Sequence, residues 1–540
     1  MRDVLLPTLA VAALWLGLGL VLGACGFLVR RALVGGGPPT TADLWIGLAA
    51  LLAYLELWSL VTGISAFAWI GPGAAAAGGA VLAFRGLERR RGRGVRPGIA
   101  AETAASLLAT VVGVLWLANR ALGPAADYDL GLYHAGAVRW ALDYGTVTGL
   151  ANLQSRLGSG DAHLLLVAFL QHGPWAGAAS HLADGLLVSL LAIEILTRAV
   201  RGRRGSFTRR LALLLVPAVV AVVGVGPSYR LASPNLDVAA FVLVAVGALY
   251  LAECVEDGVR PVPAIAALGA FTGAAATRPV YFLPALVAAV VFVVGVRRRR
   301  VALAVCALPA VLAGGWLVRQ ALLSGYPFFP ATVADLPVGW RVPVATVEAQ
   351  NRWTDSWARW PGQTPDVVNA SWHWLSVWAH LRVRDFDVMA PAAMLAAVVP
   401  AAIAGAAGAP CARNRFSPWS SPRSPSWPHG SPSRRTRASR SARSGCCRRP
   451  SPPGRCPRRP TAPRRSSSWL RRSPRAVSSP SPSRTCPGSS SSCSTRSPWS
   501  RSFCVQLHRG ARRRCSRAPD WSRQRSCRSA SSPTAAGSTS

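Results

Sequence analysis

Apolar stretches long enough to cross a bilayer follow one another along most of this chain, broken by short polar joints. "VLLPTLAVAALWLGLGLVLGACGFLV" opens the series, and "LLATVVGVLWLA" follows after residue 106. A membrane-spanning helix takes about 20 residues. In lipid each backbone amide has to be satisfied within its own segment, so repeated runs of this kind predict a helical bundle. Threading them gives about eleven spans. The first three run near 4–29, 44–62 and a Gly/Ala-rich 66–84, and a fourth lies near 98–118. A short apolar piece at 162–170 and a full span near 176–196 come next, then 211–226, 237–252, 262–276, 280–296 and 301–322, with a last span near 388–407. The fold class is an all-α integral membrane protein, a polytopic helical bundle.

The polar joints differ in kind. Four are short and basic: Arg30-Arg31, "RGLERRRGRGVR" at 85–96, "RAVRGRRGSFTRR" at 198–210, and Arg297 to Arg300. Clusters of this sort mark the cytoplasmic side. The others fall on the opposite, external side of the same path. They are 119–161, "GPSYRLASPNLD" at 226–237, the "TRP" turn at 277–279, and the long segment 324–387. Any chemistry is therefore expected outside, on loops that carry interface helices. The division that follows is N-terminal spans at 1–97, a membrane core at 98–410, and a tail at 411–540.

Charge sharpens the last boundary. The formal net charge is +38, but residues 411–540 hold 29 of the 60 basic residues and one acid, Asp520. Residues 1–410 carry 31 Arg against 21 acids, a balance of +10 that suits basic cytoplasmic loops. The chain has no Lys, which points to a very GC-rich gene. Arg, Ser and Pro fill 82 of the last 130 positions without periodicity, and nine of the twelve Cys are scattered there. Taken literally this is a disordered basic tail, able to bind nucleic acid or anionic lipid. Scattered Cys and Trp fit a solvated tail poorly, and a frameshift accounts for them better. "RRTRASR" (Arg434 to Arg440) can be encoded so that the frame one base earlier reads x-Pro-Asp-Pro-Arg-Phe-Ala, with G or C at every third position. On that reading the tail is not a domain and nucleic acid is not a partner. Cys25, Cys254 and Cys306 lie in or beside apolar runs and read as small core residues, not as a disulfide framework or metal site. "LGAC" ending at Cys25 resembles a lipoprotein cleavage box only faintly. The start "MRD" is not a positive leader, and the apolar run continues past the cysteine, so no cleaved signal is expected.

The candidate chemistry begins at "AADYDLGLYH", residues 125 to 134. Asp127 and Asp129 stand two apart just past a helix end. An Asp-x-Asp spacing lets both carboxylates approach one divalent cation, or lets one act as a base while the other positions groups. A solvated acidic loop is the plainer reading. The next residues, "LYHAGAVRWALDYG", alternate in the manner of a short interface helix with Trp140 and Tyr144 as anchors. Within it His134 is a phosphate donor or a structural group, and Arg139 a salt-bridge partner or phosphate contact. Asp237 in "SPNLD" opens a span, where an acid suits a helix N-terminus and capping is the favoured role. Arg278, beside Pro279, either snorkels to the interface or binds a lipid phosphate. The segment 324–387 carries Trp340, Trp353, Trp357, Trp360, Trp372, Trp374 and Trp378. These form an interfacial belt, and flat aromatic faces also stack on sugar rings.

A multi-span bundle with an acidic motif opening its first large external loop resembles the GT-C type membrane glycosyltransferases. "DYDLGLYHAGAVRWALDYGTVTGLANLQSRLG", "SPNLD", "LLSGYPFFPATVADLPVGWRVP" and "SWARWP" look more closely like a set of uncharacterised bacterial membrane proteins allied to that group. The resemblance covers roughly residues 98–400, and the Pro-Asp-Pro-Arg-Phe of the shifted frame also looks like a segment of those proteins. It implies a multi-pass protein of the bacterial cytoplasmic membrane. It also implies transfer of a sugar from a polyprenyl-phosphate donor to an envelope acceptor on the external face. Asp127 or Asp129 would be the base, or would help hold a divalent metal. Arg139 or Arg278 would steady the leaving phosphate, with His134, Asp237 and Trp340 as further substrate contacts. No other cofactor is implied, and the partners are the lipid-linked donor and membrane lipids. The chain departs from the GT-C pattern by placing about three spans before the acidic loop, where one is typical. Competing classes are a transporter, flippase or polymerase of an envelope lipid or polysaccharide, and an inactive frameshifted copy. Transporters usually place ionisable groups near the bilayer midplane, whereas here they gather at the span ends.

Overall fold

The computed structural model describes residues 2–88, 100–173, 175–203, 205–220, 222–223, 229–296 and 298–382. The predicted span near 388–407 and the whole 411–540 tail lie outside the described residues. Described secondary structure is helical throughout, with no strand among these residues. Helices α1 (Arg2–Val34), α2 (Ala42–Val61), α3 (Ile70–Glu88) and α4 (Ala100–Ala121) precede the acidic segment. They overlap the four spans that the sequence path places ahead of that segment. Then come α5 (Ala135–Asp143), α6 (Ala162–Leu170), α7 (Ala183–Arg201), α8 (Phe207–Val220) and the short α9 (Tyr229–Ala232). The remaining elements are α10 (Leu236–Asp257), α11 (Pro261–Thr277), α12 (Phe282–Gly295), α13 (Arg299–Ser324), α14 (Val344–Arg359), α15 (Pro365–Asn369) and α16 (His373–Arg382).

Among the described residues six stretches are long and apolar enough to cross a membrane: Val4–Val34, Ala42–Val61, Ala66–Gly86, Ala179–Val200, Leu236–Asp257 and Arg299–Ser324. Three more, Leu107–Ala121, Pro261–Thr277 and Pro279–Gly295, are apolar but shorter. The membrane class stands, with six full-length candidates where the sequence path counted about eleven. Proline accounts for the joint between two of the shorter ones. The residue before proline is pushed out of the helical region, and Arg278, preceding Pro279, is extended at φ −138° and ψ 107°. The chain therefore turns between α11 and α12, where the sequence path placed the joint between the spans 262–276 and 280–296.

Helices α1 and α2 cross at glycines. A Cβ on Gly26 would lie 1.8 Å from the Asp43 carbonyl oxygen, and one on Gly47 would lie 1.9 Å from that of Leu22. Only glycine allows this approach. The bundle core is then filled by residues such as Trp45, Leu55, Leu165, Leu191 and Val246.

Backbone and side-chain contacts divide the joints between two ends. Ile64 N donates to Ala141 O (2.8 Å), Thr146 N to Ser59 O (2.8 Å), Gly149 N to Leu322 O (2.8 Å) and Asn152 Nδ2 to Trp340 O (2.7 Å). The segment after α4, the end of α2, the end of α13 and the 324–382 segment thus meet at one end, the loop end. The 324–382 stretch has a small core of its own with residue 151, formed by Ala151, Tyr326, Phe329, Val342 and Val347. Arg30, Asp43, Arg198, Glu253 and Arg260 meet at the other, the arginine end. The joints at Arg30 and Arg198 thus lie apart from those that gather around residues 141–152 and 340.

Candidate functional site

The acidic segment folds into a compact turn. Asp127 N donates to Ser233 Oγ (3.3 Å), and Asp127 Oδ1 accepts from Asp129 N (3.2 Å). Asn235 Nδ2 donates to Asp127 Oδ2 at 3.0 Å. Both Asp127 oxygens are therefore committed to holding the segment on the turn before α10. Asp129 is freer. Its carboxylate meets Arg156 Nη1 at 3.5 Å, and its side chain is 34 % exposed. Burial raises its pKa, against the lowering field of Arg156.

A single π-helical turn, Leu130–His134, follows Asp129. Such turns are rare and recur at functional sites. Here it carries Tyr133 and His134 inward, 6 % and 1 % exposed. Neither ring nitrogen of His134 makes a well-formed hydrogen bond among the described residues. Burial, then the positive field of Arg278, push its pKa down to about 4, partly offset by the Pro234 carbonyl, so the ring is neutral at pH 7. Burial likewise raises the Tyr133 phenol, and the Arg156 guanidinium lies 5.7 Å from that ring's centre.

Arg278 stands where these groups converge. Its Nε meets Asp237 Oδ1 at 2.8 Å, and its charge is felt by Asp129, Tyr133, His134 and Asp161. Asp161 lies just before α6 and accepts from Ser159 Oγ at 3.1 Å. Burial drives its pKa up to about 7, with Arg278 the largest opposing influence. Below this layer sit buried groups whose capacity is unused among the described residues. His163 Nε2 and Asp184 Oδ1 approach to 3.0 Å without hydrogen-bond alignment, while Asp184 Oδ2 accepts from Asn235 N at 2.7 Å. Glu56 is fully enclosed, neither of its oxygens accepts a hydrogen bond, and Arg319 Nη1 lies 3.7 Å away.

Several sequence expectations change in detail. The cap of α10 is Asn235, whose Oδ1 accepts from Asp237 N and Val238 N (3.1 and 3.0 Å), and Asp237 instead pairs with Arg278. Asn is the better cap because its neighbour Leu236 already starts the helix. Arg278 neither snorkels freely nor stands ready for lipid alone. Arg139 points away from the cluster. It pairs with Asp143 at 3.3 Å, one turn along α5, and its side chain is 84 % exposed. Trp340 packs as a staple, its Nε1 donating to Ala321 O and its carbonyl accepting from Asn152. With both Asp127 oxygens engaged and Asp129 beside a guanidinium, the pair does not fit a divalent cation. Among the described residues no group of three or more His, Cys, Asp or Glu could hold a metal ion.

Sequence reasoning passed over Tyr133, Arg156, Asp161, His163, Asp184, Asn235, Glu56 and Arg319. One signal was present: "SGDAH" and "HLADG" put acids directly ahead of apolar runs, where burial follows from the run itself.

The family described as "Domain of unknown function (DUF8201)" matches residues 9–406. The chain belongs to that family. No curated protein and no solved structure matches it. The DUF8201 region takes in the bundle, the acidic turn and all the groups above, and stops just before the composition change at 411.

Proposed function

We propose that this DUF8201 chain is a membrane glycosyltransferase, acting at its loop end on the external face of a bacterial cytoplasmic membrane. The donor is a sugar on a polyprenyl phosphate, and the acceptor is a hydroxyl of an envelope molecule. Asp129 carries the reading. It is half-buried, raised in pKa by that burial, and bound by one distant guanidinium, as a general base requires. Asp127 positions it. Asp129 takes the acceptor's hydroxyl proton while that oxygen bonds to the anomeric carbon. The bond from that carbon to the phosphate oxygen breaks, and the phosphate leaves with the electron pair. Arg156 and Arg278 stabilise its charge. The carboxylates clustered here also suit a polyhydroxyl substrate, since each accepts hydrogen bonds from hydroxyls.

The test is complementation of a deletion strain with the full chain, reading envelope glycan composition. Asp129→Asn is expected to abolish the restored glycan and Asp127→Asn to reduce it. Full restoration by Asp129→Asn at normal protein level would sink the assignment. A transporter or flippase is the second reading, favoured by enclosed Glu56 and Arg319. Both lie five residues from the loop-end termini of α2 and α13, about 7.5 Å along each helix, well short of the middle of a span. In that case the deletion strain accumulates a complete lipid-linked glycan on the wrong face, not an acceptor lacking a sugar.

A further inference from the structure

A second feature lies away from the acidic cluster. Between α1, α2, α3 and α6 is a cavity of about 250 Å³. Its wall runs from Leu18 to Val29 on α1 and from Gly47 to Tyr54 on α2. At about 1.5 Å per residue the α1 wall is about 16 Å long, so the space is extended along the helices.

The wall offers almost nothing to a polar ligand. Cys25 Sγ donates to the Pro72 carbonyl (3.1 Å) and Trp69 Nε1 to the Phe169 carbonyl (3.2 Å), which leaves the Tyr54 hydroxyl beside Gly71. A water needs two to four polar partners, so such a cavity stays dry. A dry cavity of about 150 Å³ takes benzene, and by that measure this one has room for about ten carbon atoms. The gap has a structural origin. Helix α3 packs on α1 and on the turn before it, and makes no comparable contact with α2 or α6. Its far side is open, with Val81 and Phe84 exposed.

We propose that an acyl chain of a bilayer phospholipid fills this cavity and wedges α3 against the bundle. Three observations select that occupant. The wall follows α1 from Leu18 to Val29, its lining is hydrocarbon, and each of α1, α2 and α3 forms a candidate membrane span, so lipid chains surround it. No wall residue belongs to the Asp129 cluster, which separates this lipid from the donor of the proposed transfer.

The full chain in phosphatidylcholine vesicles carrying a diazirine on the acyl chain, irradiated and mapped by mass spectrometry, tests this. Crosslinks are expected on wall residues Leu22, Ala50 and Ala75 as well as on outward-facing Leu16 and Leu20. In an Ala50→Leu/Ala75→Leu double variant, which fills the space with side chain, the wall crosslink at Leu22 should fall at least tenfold. Those at Leu16 and Leu20 should persist and report an intact, embedded protein. Crosslinks confined to the outward residues in the wild type, or an unchanged Leu22 signal in the filled variant, overturn the proposal. Loss of the wall crosslinks on adding a polyprenyl phosphate also overturns it, by making the occupant an isoprenyl chain. Loss of glycan transfer in Asp129→Asn with the wall crosslinks retained leaves it standing.

Discussion

The two ends of the bundle both bury charge, and they treat it in opposite ways. At the arginine end the charges close on one another. Arg30 Nε meets Asp43 at 2.5 Å with both side chains almost fully enclosed, and Asp43 also accepts from Thr40 N. Arg198 bridges Glu194 (2.7 Å) and Glu253 (2.9 Å), and Glu194 in turn accepts from Trp45 and Tyr250. At the loop end, Glu56, Arg319, His134 and the His163–Asp184 pair are equally buried and keep bonding capacity unused among the described residues. Buried polar groups are normally satisfied because leaving them unsatisfied costs stability. One end is therefore built to tie helix termini together. The other keeps buried polar groups without hydrogen bonds among the described residues, which fits the polar substrate site proposed above.

The sharpest way to break this contrast is to neutralise one acid at each end. Asp43→Asn leaves Arg30 enclosed without its counter-charge, and removing one partner of a buried pair costs about 3–5 kcal/mol. Glu56→Gln removes a carboxylate that accepts no hydrogen bond, while Arg319 keeps the field of Asp161. Its expected cost is smaller, about 1–3 kcal/mol, because the pair with Arg319 is long at 3.7 Å and has no hydrogen bond to lose. Thermal unfolding of the two variants in detergent should separate by that margin. Equal losses would mean that the loop-end charges are structural too.

The contrast was only half legible in the sequence. Basic runs such as Arg297 to Arg300 and the acidic turn at 125–134 announced two ends, because the rule behind them is local composition beside an apolar span. Asp127, Asp129, Asp237 and Arg278 do meet at the loop end. Their roles were hidden, because each is set by a residue far away in the chain. Asn235 occupies Asp127 across 108 positions and Arg278 claims Asp237 across 41. The cap shows the same limit: Asp237 and Asn235 both suit a helix start, and only the backbone geometry decides between them. Span length is set in a different way. The turn at Arg278-Pro279 was legible between the runs 262–276 and 280–296, and it leaves α11 and α12 each shorter than a full span.

A smaller effect lies in pH. His134, lowered in the folded protein to about 4 from 6.5, contributes stability that is complete above pH 6.5 and lost as the pH falls toward 4. Asp161, raised to about 7 from 3.8, contributes in the opposite sense, fully below pH 3.8 and progressively less as the pH rises toward 7. Each slope is up to about 1.4 kcal/mol per pH unit, so the two nearly cancel between pH 4 and 6.5. Melting of the wild type in that window is expected to carry little of this dependence. His134→Asn should expose a stability that falls with rising pH, and Asp161→Asn one that rises. Parallel profiles for the two variants would show that neither group is perturbed as the burial of the loop end requires.

The smallest expected effect belongs to a residue that the sequence placed in the site. Arg139 and Asp143 form an i, i+4 pair on the outer face of α5, both largely in solvent. Exposed pairs of this spacing contribute about 0.3–0.5 kcal/mol and weaken with salt. Val138 and Ala141, on the opposite face, hold α5 to the bundle without help from the pair. Arg139→Ala should thus change the melting temperature within error and leave glycan restoration at the wild-type level, whereas Arg278→Ala, which removes the charge felt by Asp129, Tyr133, His134 and Asp161, should not. If Arg139→Ala instead abolished restoration at normal protein level, phosphate would have to be held on the outer face of α5. The enclosed groups around Arg278 would then lose their claim to be where the chemistry happens.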